Sequence, residues 1–148
     1  MKSLGAVVLG VLLALLLGLL LVFGIFAPVL TAIFGLQGGV DTLGATGLPT
    51  MLVAFAAAFG FYFGGMATGY YAPARRRLHG VVVPAVAFVI SPALNLLSGN
   101  GAFPGVVTLW SALAVTAVLA ISFVASYVGA RRGESLHRYH ESLKKRRR

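Results

Sequence analysis

The stretch LGAVVLGVLLALLLGLLLVFGIFAPVLTAIF, residues 4–34, runs for 31 residues without an Asp, Glu, Lys or Arg. A helix needs about 20 apolar residues to cross the hydrocarbon core of a bilayer, at a rise of about 1.5 Å per residue. Three further uncharged stretches are long enough to do the same, and they cover residues 50–73, 78–97 and 106–130. The sequence therefore predicts an all-α integral membrane bundle of four transmembrane helices.

The composition agrees with this prediction. The chain is 59% hydrophobic and 10% charged, with a mean hydropathy of +0.94, whereas a soluble domain carries about 25% charged residues. Its 148 residues leave room for a transmembrane domain over residues 1–130 and a basic cytoplasmic tail over residues 131–148. Cysteine is absent, which excludes disulfides, thiolate metal sites and a cysteine nucleophile. No soluble catalytic or nucleotide-binding domain fits in this length.

The basic residues fall on one side of the predicted membrane. Lys2 precedes the first span, Arg75 to Arg77 separate the second from the third, and the other eight follow the fourth. The opposite connections, residues 35–49 and 98–105, contain Asp41 as their only charged residue. Because Lys and Arg near span ends stay on the cytoplasmic side, we expect a multi-pass protein of the cytoplasmic membrane with both termini in the cytoplasm.

The first apolar stretch is too long for a secretory signal. The apolar region of a signal peptide has about 7–15 residues, whereas here it continues to Phe34. We therefore expect a retained first span. Pro28 predicts a bend near its outer end, because proline lacks a backbone N–H and crowds the preceding turn.

Small side chains recur every four residues in the second predicted span, and a second set follows one residue later. The first set is Ala56, Gly60, Gly64 and Thr68, and the second is Gly65 and Gly69. Such spacing places small residues on one helix face and lets a neighbouring backbone approach closely. We expect a helix-packing interface here. The neighbour is either the first or fourth span of the same chain, or a second copy or partner protein.

The third span contains Pro84 and Pro92, so the carbonyls of Gly80 and Phe88 lose their usual helical donors. We expect a kink, and groups freed in this way must find other partners inside a membrane. Discontinuous helices build substrate sites in some transporters. A small channel or carrier for a neutral or hydrophobic solute is therefore the alternative function.

In the fourth span, Ser122, Ser126 and Gly129 share one face. A serine hydroxyl inside a helix can bond the carbonyl four residues earlier. We expect both serines to be satisfied in this way, without help from another helix.

No carboxylate, lysine or arginine lies in the middle of any predicted span. Ion-coupled carriers and proton pumps usually hold such groups at membrane depth, and no nucleophile, base and orienting group can be named together. The sequence thus predicts a protein that is not an enzyme. His79 lies near a span end, where an imidazole can be a hydrogen-bonded interface residue or, alternatively, a ligand of haem or a pigment. Apart from that alternative and bound lipid, we predict no cofactor.

The tail reads as a short basic amphipathic helix, because Leu136, Tyr139 and Leu143 recur at helical spacing among basic residues. Glu134, His137 and Glu141 also recur at helical spacing, but we predict no metal site from an exposed set of this kind. No aromatic stacking platform accompanies the basic residues, so we do not expect nucleic acid as a partner. The residues expected to contact anionic lipid are Arg75, Arg76, Arg77, Arg131, Arg132, Lys144, Lys145, Arg146, Arg147 and Arg148.

The segment GGMATGYY, residues 64–71, is followed by RRRLHG, residues 75–80. This Gly-rich helix end, short basic loop and His-Gly helix start over residues 60–80 resembles small, functionally uncharacterised four-helix membrane proteins of bacteria and archaea. The resemblance implies the fold and the membrane location, and it carries no activity. We expect an accessory or structural subunit of a larger membrane complex, or a homo-oligomer, with lipids and other membrane subunits or a second copy as its partners.

Overall fold

A computed structural model describes residues 2–34, 48–99 and 108–146. Within these ranges the chain is helical apart from short turns, and it contains no strand. The first helical rod consists of α1 (Lys2–Leu19), a π-helical segment (Leu20–Phe26) and α2 (Ala27–Phe34). The other helices are α3 (Leu48–Tyr71), α4 (Arg76–Leu97) and α5 (Leu109–Arg146).

The described residues contain four helical segments that are long and apolar enough to cross a membrane. Their bounds are Ser3–Ile33, Thr50–Tyr71, Arg76–Leu97 and Leu109–Arg146. The prediction of an all-helical chain with four long apolar helices is confirmed. The length and hydropathy of each segment indicate a membrane protein.

The π-helical segment lies just before Pro28, where the sequence predicted a bend. At its end the N–H of Ala27 bonds the carbonyl of Val22, five residues earlier, instead of the carbonyl four residues earlier. We attribute this wider turn to Pro28, because its ring crowds the preceding α-helical turn. No residue of the π-helical segment is buried.

The turn between α3 and α4 lies two residues earlier in the chain than the sequence indicated, over residues 72–75 instead of 74–77. Arg75 has a left-handed backbone, with φ at 45°. Its carbonyl accepts the N–H groups of Leu78 at 2.9 Å and His79 at 3.2 Å. These bonds start α4 at Arg76, two residues before the predicted start of the third span, so Arg76 and Arg77 belong to the first helical turn.

Helix α5 continues past Ala130, where the sequence placed the end of the fourth span, and runs for 38 residues to Arg146. That length corresponds to about 57 Å at the helical rise, against about 30 Å for a hydrocarbon core. The described part of the predicted tail is therefore an extension of the fourth helix. Lys144, Lys145 and Arg146 in its last turn favour this continuation, because cations stabilise the negative end of a helix.

Helix α3 is central in the bundle and contacts α1, α4 and α5. It runs antiparallel to α1 and parallel to α5, as Gly64 faces Gly10 of α1 while Gly65 and Gly69 face Ser126 and Ala130 of α5. An apolar cluster joins α1, α3 and α4, and its buried members are Val7, Val11, Ala14, Phe61, Val83 and Ala87.

Burial is uneven along the bundle. All buried residues of the described chain lie within residues 6–14, 56–72, 80–87 and 122–133. Since α1 and α4 run opposite to α3 and α5, these ranges share one end and the middle of the bundle. We call the end that holds the α3–α4 turn the basic end, and the opposite end the apolar end. No described residue at the apolar end is buried.

Candidate functional site

The first small-residue face of α3 lies against α1 of the same chain. A Cβ atom added to Gly60 would stand 2.6 Å from the carbonyl oxygen of Ala14, and one added to Gly64 would stand 2.9 Å from the Cβ of Ala14. Distances below 3.0 Å are not found for real Cβ atoms. The two backbones therefore touch, as small residues allow in membrane helices.

Two other members of this face are also buried. Ala56 is 2% exposed and Thr68 is fully buried. The Thr68 hydroxyl lies 3.1 Å from the Ala6 carbonyl and 2.9 Å from the Gly64 carbonyl, and it can donate to either oxygen. This face is thus occupied inside the chain, and a second copy could reach it only by displacing α1.

The second small pair of α3 lies against α5. A Cβ atom on Gly65 or Gly69 would collide with the backbone of Ser126 or Ala130. Gly129 and Gly133 on α5 in turn face the α3 backbone, between Tyr62 and Tyr70. The sequence showed the small residues of α3 and the face of Ser122, Ser126 and Gly129 on α5, but we did not predict that these two faces pack against each other. The sequence contains a pattern that could have indicated this pairing, because Gly65 and Gly69 have the same four-residue spacing as Gly129 and Gly133.

The hydroxyl of Ser126 forms its hydrogen bond with α4 and not with its own helix. It donates to the carbonyl of Gly80 at 2.7 Å, so the expected bond to the carbonyl four residues earlier is absent. Ser122 does form the expected bond, to Val118 at 2.7 Å. The two serines differ because Pro84 has no backbone N–H to donate to the carbonyl of Gly80, four residues earlier in α4. The carbonyl of Gly80 is therefore an open acceptor beside Ser126.

At the basic end, one carboxylate joins α4 to α5. Arg77 Nε donates to Glu134 Oε2 at 2.7 Å, and Arg138 donates to the other oxygen of Glu134. Glu134 lies beyond the apolar part of α5, which ends at Ala130. The hydrogen bond from Arg77 lowers the pKa of Glu134, and Arg138 adds to this effect. The carboxylate is only 15% exposed.

Tyr70 at the end of α3 holds the extension of α5. Its hydroxyl and Nδ1 of His140 are joined by a hydrogen bond of 2.9 Å. The Tyr70 ring also stands edge-on to His137, with 5.4 Å between centroids. His137 Nε2 in turn lies 3.1 Å from Glu141 Oε1. Sequence reasoning missed this cluster, because Tyr70 and His140 are 70 residues apart.

The structure bears on two roles considered for histidine, as a ligand of haem or a pigment and as a ligand of a metal ion. Nδ1 of His79 donates to the carbonyl of Arg75 at 3.1 Å, which leaves Nε2 as the remaining ring nitrogen. A haem or pigment ligand at His79 stays a prediction. Within the described ranges, no three His, Cys, Asp or Glu side chains form a group able to hold a metal ion.

An open cavity of about 610 Å³ lies between the α3–α4 turn and α5. We call it the basic basin. Its lining residues are Ala74, Arg75, Arg76, Arg77, Leu78, Glu134, Arg138 and Glu141. A second depression of about 490 Å³ is lined by Tyr62, Val128, Arg131, Arg132 and Ser135.

The residues predicted to contact anionic lipid are thus distributed over three places. The Arg75 to Arg77 triplet lines the basic basin, and Arg131 and Arg132 line the second depression. Lys144, Lys145 and Arg146 are exposed in the last turn of α5. Arg147 and Arg148 lie outside the described residues.

No protein-family model matches the chain, and no curated protein or solved structure is significantly similar to it. The resemblance of residues 60–80 to small four-helix membrane proteins therefore stays a prediction.

Proposed function

We propose that this chain is a non-catalytic membrane protein that acts as a structural or accessory subunit, either in a larger complex or in a homo-oligomer. Its basic end faces the cytoplasm in this proposal, following the distribution of Lys and Arg. Membrane lipids and other membrane subunits, or a second copy, are its partners.

The uneven burial carries the proposal. At the basic end and in the middle, backbones of α1, α3, α4 and α5 approach closely through glycines. At the apolar end, large side chains such as Phe23, Val89 and Trp110 are 68%, 70% and 80% exposed. An apolar surface of this extent is available to lipid or to another transmembrane helix. The small-residue face of α3 is already occupied, so we place the association surface at the apolar end.

Site-specific photo-crosslinking tests this proposal in native membranes. A photoreactive residue at Phe23 or Val89 should cross-link a defined partner or a second copy. Leu4 is the matched control, because it is equally exposed, at 71%, but lies at the basic end. Gentle extraction, mass spectrometry of co-purifying proteins and an absorption spectrum then identify the partner and any bound pigment. Cross-links to lipid alone at every position would contradict a subunit role.

The carrier alternative depends on the prolines of α4. The carbonyl that Pro84 frees on Gly80 is already bonded to Ser126, and α4 continues as one helix to Leu97. This carbonyl is therefore not available to coordinate a solute. Solute flux in liposomes, measured for the monomer and for any isolated oligomer, remains the test of a carrier.

A further inference from the structure

The basic basin has more positive than negative groups. Four of its lining residues are arginines and two are glutamates. Glu134 binds Arg77 and Arg138, and Glu141 contacts His137. Both carboxylates are thus already engaged by other side chains.

Arg75 and Arg76 remain without a carboxylate partner among the described residues. The whole chain has only one other acidic residue, Asp41, which lies in the connection predicted on the opposite side of the membrane. Within the described part of the chain, these two arginines of the basin therefore have no carboxylate that neutralises them.

The local backbone makes this concentration of charge more unfavourable. Arg76 and Arg77 lie in the first turn of α4, where the helix dipole is already positive and favours acidic side chains. Arg75 adds a third positive charge in a left-handed conformation, with φ at 45°. Residues that break several local preferences at once are expected at functional sites. An anion in the basin would compensate these charges.

We infer that the basic basin is a binding site for a phosphate group, supplied by the headgroup of an anionic membrane lipid or by a free phosphate compound. Planar guanidinium groups match phosphate oxygens with paired hydrogen bonds. The cavity volume of about 610 Å³ falls in the range of small-molecule sites. Glu134 is a positioning residue, because it binds Arg77 and Arg138, which both line the basin.

The position of the basin suits a lipid phosphate. Leu78, at the start of the apolar part of α4, lines the basin together with charged residues. It therefore lies at the boundary between the apolar and the charged part of the bundle, which is where headgroup phosphates occur. This inference rests on the membrane location in the proposed function, but not on any protein partner.

The test is a titration of the full chain in detergent with phosphatidylglycerol, followed by native mass spectrometry at fixed salt. R75A/R76A should weaken lipid binding by about tenfold or more, because each hydrogen bond to a charged group contributes on the order of tenfold in affinity. The comparison variant K144A/K145A removes the same charge from two residues that are also expected to contact anionic lipid. Because it leaves the basin intact, it should weaken binding several-fold less than R75A/R76A. R75K/R76K keeps the charge but loses the paired geometry, so it should also bind more weakly.

Equal losses in R75A/R76A and K144A/K145A would overturn the inference, and so would full affinity in R75K/R76K. Either result would mean a diffuse attraction between the basic end and anionic lipid. Unchanged circular dichroism of R75K/R76K is the folding control.

Free pyrophosphate identifies the source of the phosphate group. If pyrophosphate binds the lipid-free protein and depends on Arg75 and Arg76, the site takes free phosphate compounds; if only the lipid binds, the source is a headgroup. Absence of binding by both probes overturns the inference. The cross-linking experiment on the apolar end gives a separate readout, so failure of the subunit proposal leaves this result unaffected.

Discussion

The hydroxyl of Ser126 on α5 donates a hydrogen bond of 2.7 Å to the carbonyl of Gly80 on α4. Both positions are buried, and the bond replaces the one that Pro84 cannot make. Gly80 also permits the approach, since a Cβ atom there would lie 3.2 Å from the Ser126 carbonyl and closer still to the side chain of Ala130. Pro84 of α4 thus leaves a carbonyl without its helical donor, and Ser126 of α5 supplies the missing hydrogen bond.

Ser126→Ala should destabilise the bundle, because the buried carbonyl of Gly80 then has no donor. We expect a loss of about 1–3 kcal/mol in the free energy of unfolding, measured by denaturant titration in micelles. Ser122→Ala is the matched control and should be nearly neutral, because its hydroxyl bonds within its own helix. Pro84→Ala in the Ser126→Ala background restores a backbone N–H and should recover part of the loss. Equal effects of the two serine variants would contradict this account.

Gly64→Ala should separate α1 from α3. Its Cβ atom would stand 2.9 Å from the Cβ of Ala14 and even closer to the Gly10 carbonyl, which is backbone and cannot yield easily. We expect a loss of about 1–3 kcal/mol or more, as for overpacked cores. Gly18→Ala is the control on the same helix pair, since no atom lies within 4 Å of its added Cβ. Thermal unfolding and particle size should be measured together. A change in oligomer size without a change in stability would instead assign this face to an interface between copies.

Glu134→Gln should loosen the extension of α5 from α4, because Arg77 and Arg138 lose their shared carboxylate. The effect on global stability should be small, about 1 kcal/mol or less, since the arginines are largely exposed. Hydrogen exchange of residues 134–146 is the sensitive measurement, and those amides should exchange faster. Glu141→Gln is the control. It removes the same charge about two helical turns further along α5, and it should leave exchange near residue 134 unchanged.

The pH dependence of this contact follows from the lowered pKa of Glu134. A carboxyl group with a lower pKa in the folded state stabilises above its unfolded value and loses that contribution as the pH falls through its folded value. Protection of residues 134–146 should therefore include a step in which it falls below about pH 4. Glu134→Gln should lack this step. A step at the same pH in the variant would assign it to another group.

Pro28→Ala should convert the π-helical segment towards an α-helix. The variant gains an N–H at position 28 and loses the ring that crowds the preceding turn. Slower hydrogen exchange at residue 27 and protection of the new amide at residue 28 would support this. A segment that stays π-helical by chemical shift would show that packing, not the proline, holds the wider turn. Pro92→Ala is a control for the general effect of removing a proline from a span.

Hydropathy and length alone were enough to predict the helices. Uncharged stretches of 20 or more residues have few other stable arrangements, because backbone groups in lipid must bond within the helix. Small-residue spacing gave the faces of α3 on which we expected close packing, without saying which helix would occupy them. The continuation of α5 past Ala130 was not predicted, because the change from apolar to charged residues marks a membrane boundary and not the end of a helix.

The neighbours of each face were decided by the tertiary structure. A four-residue spacing marks a close-packing surface, but it does not distinguish α1 from α5 or from a second copy. Ser122 and Ser126 have the same local options, yet only Ser126 lies beside a carbonyl that lacks its donor. Likewise, Arg77 and Glu134 meet across 57 residues of chain. Contacts of this kind depend on how the helices are arranged in space, and no local pattern contains that information.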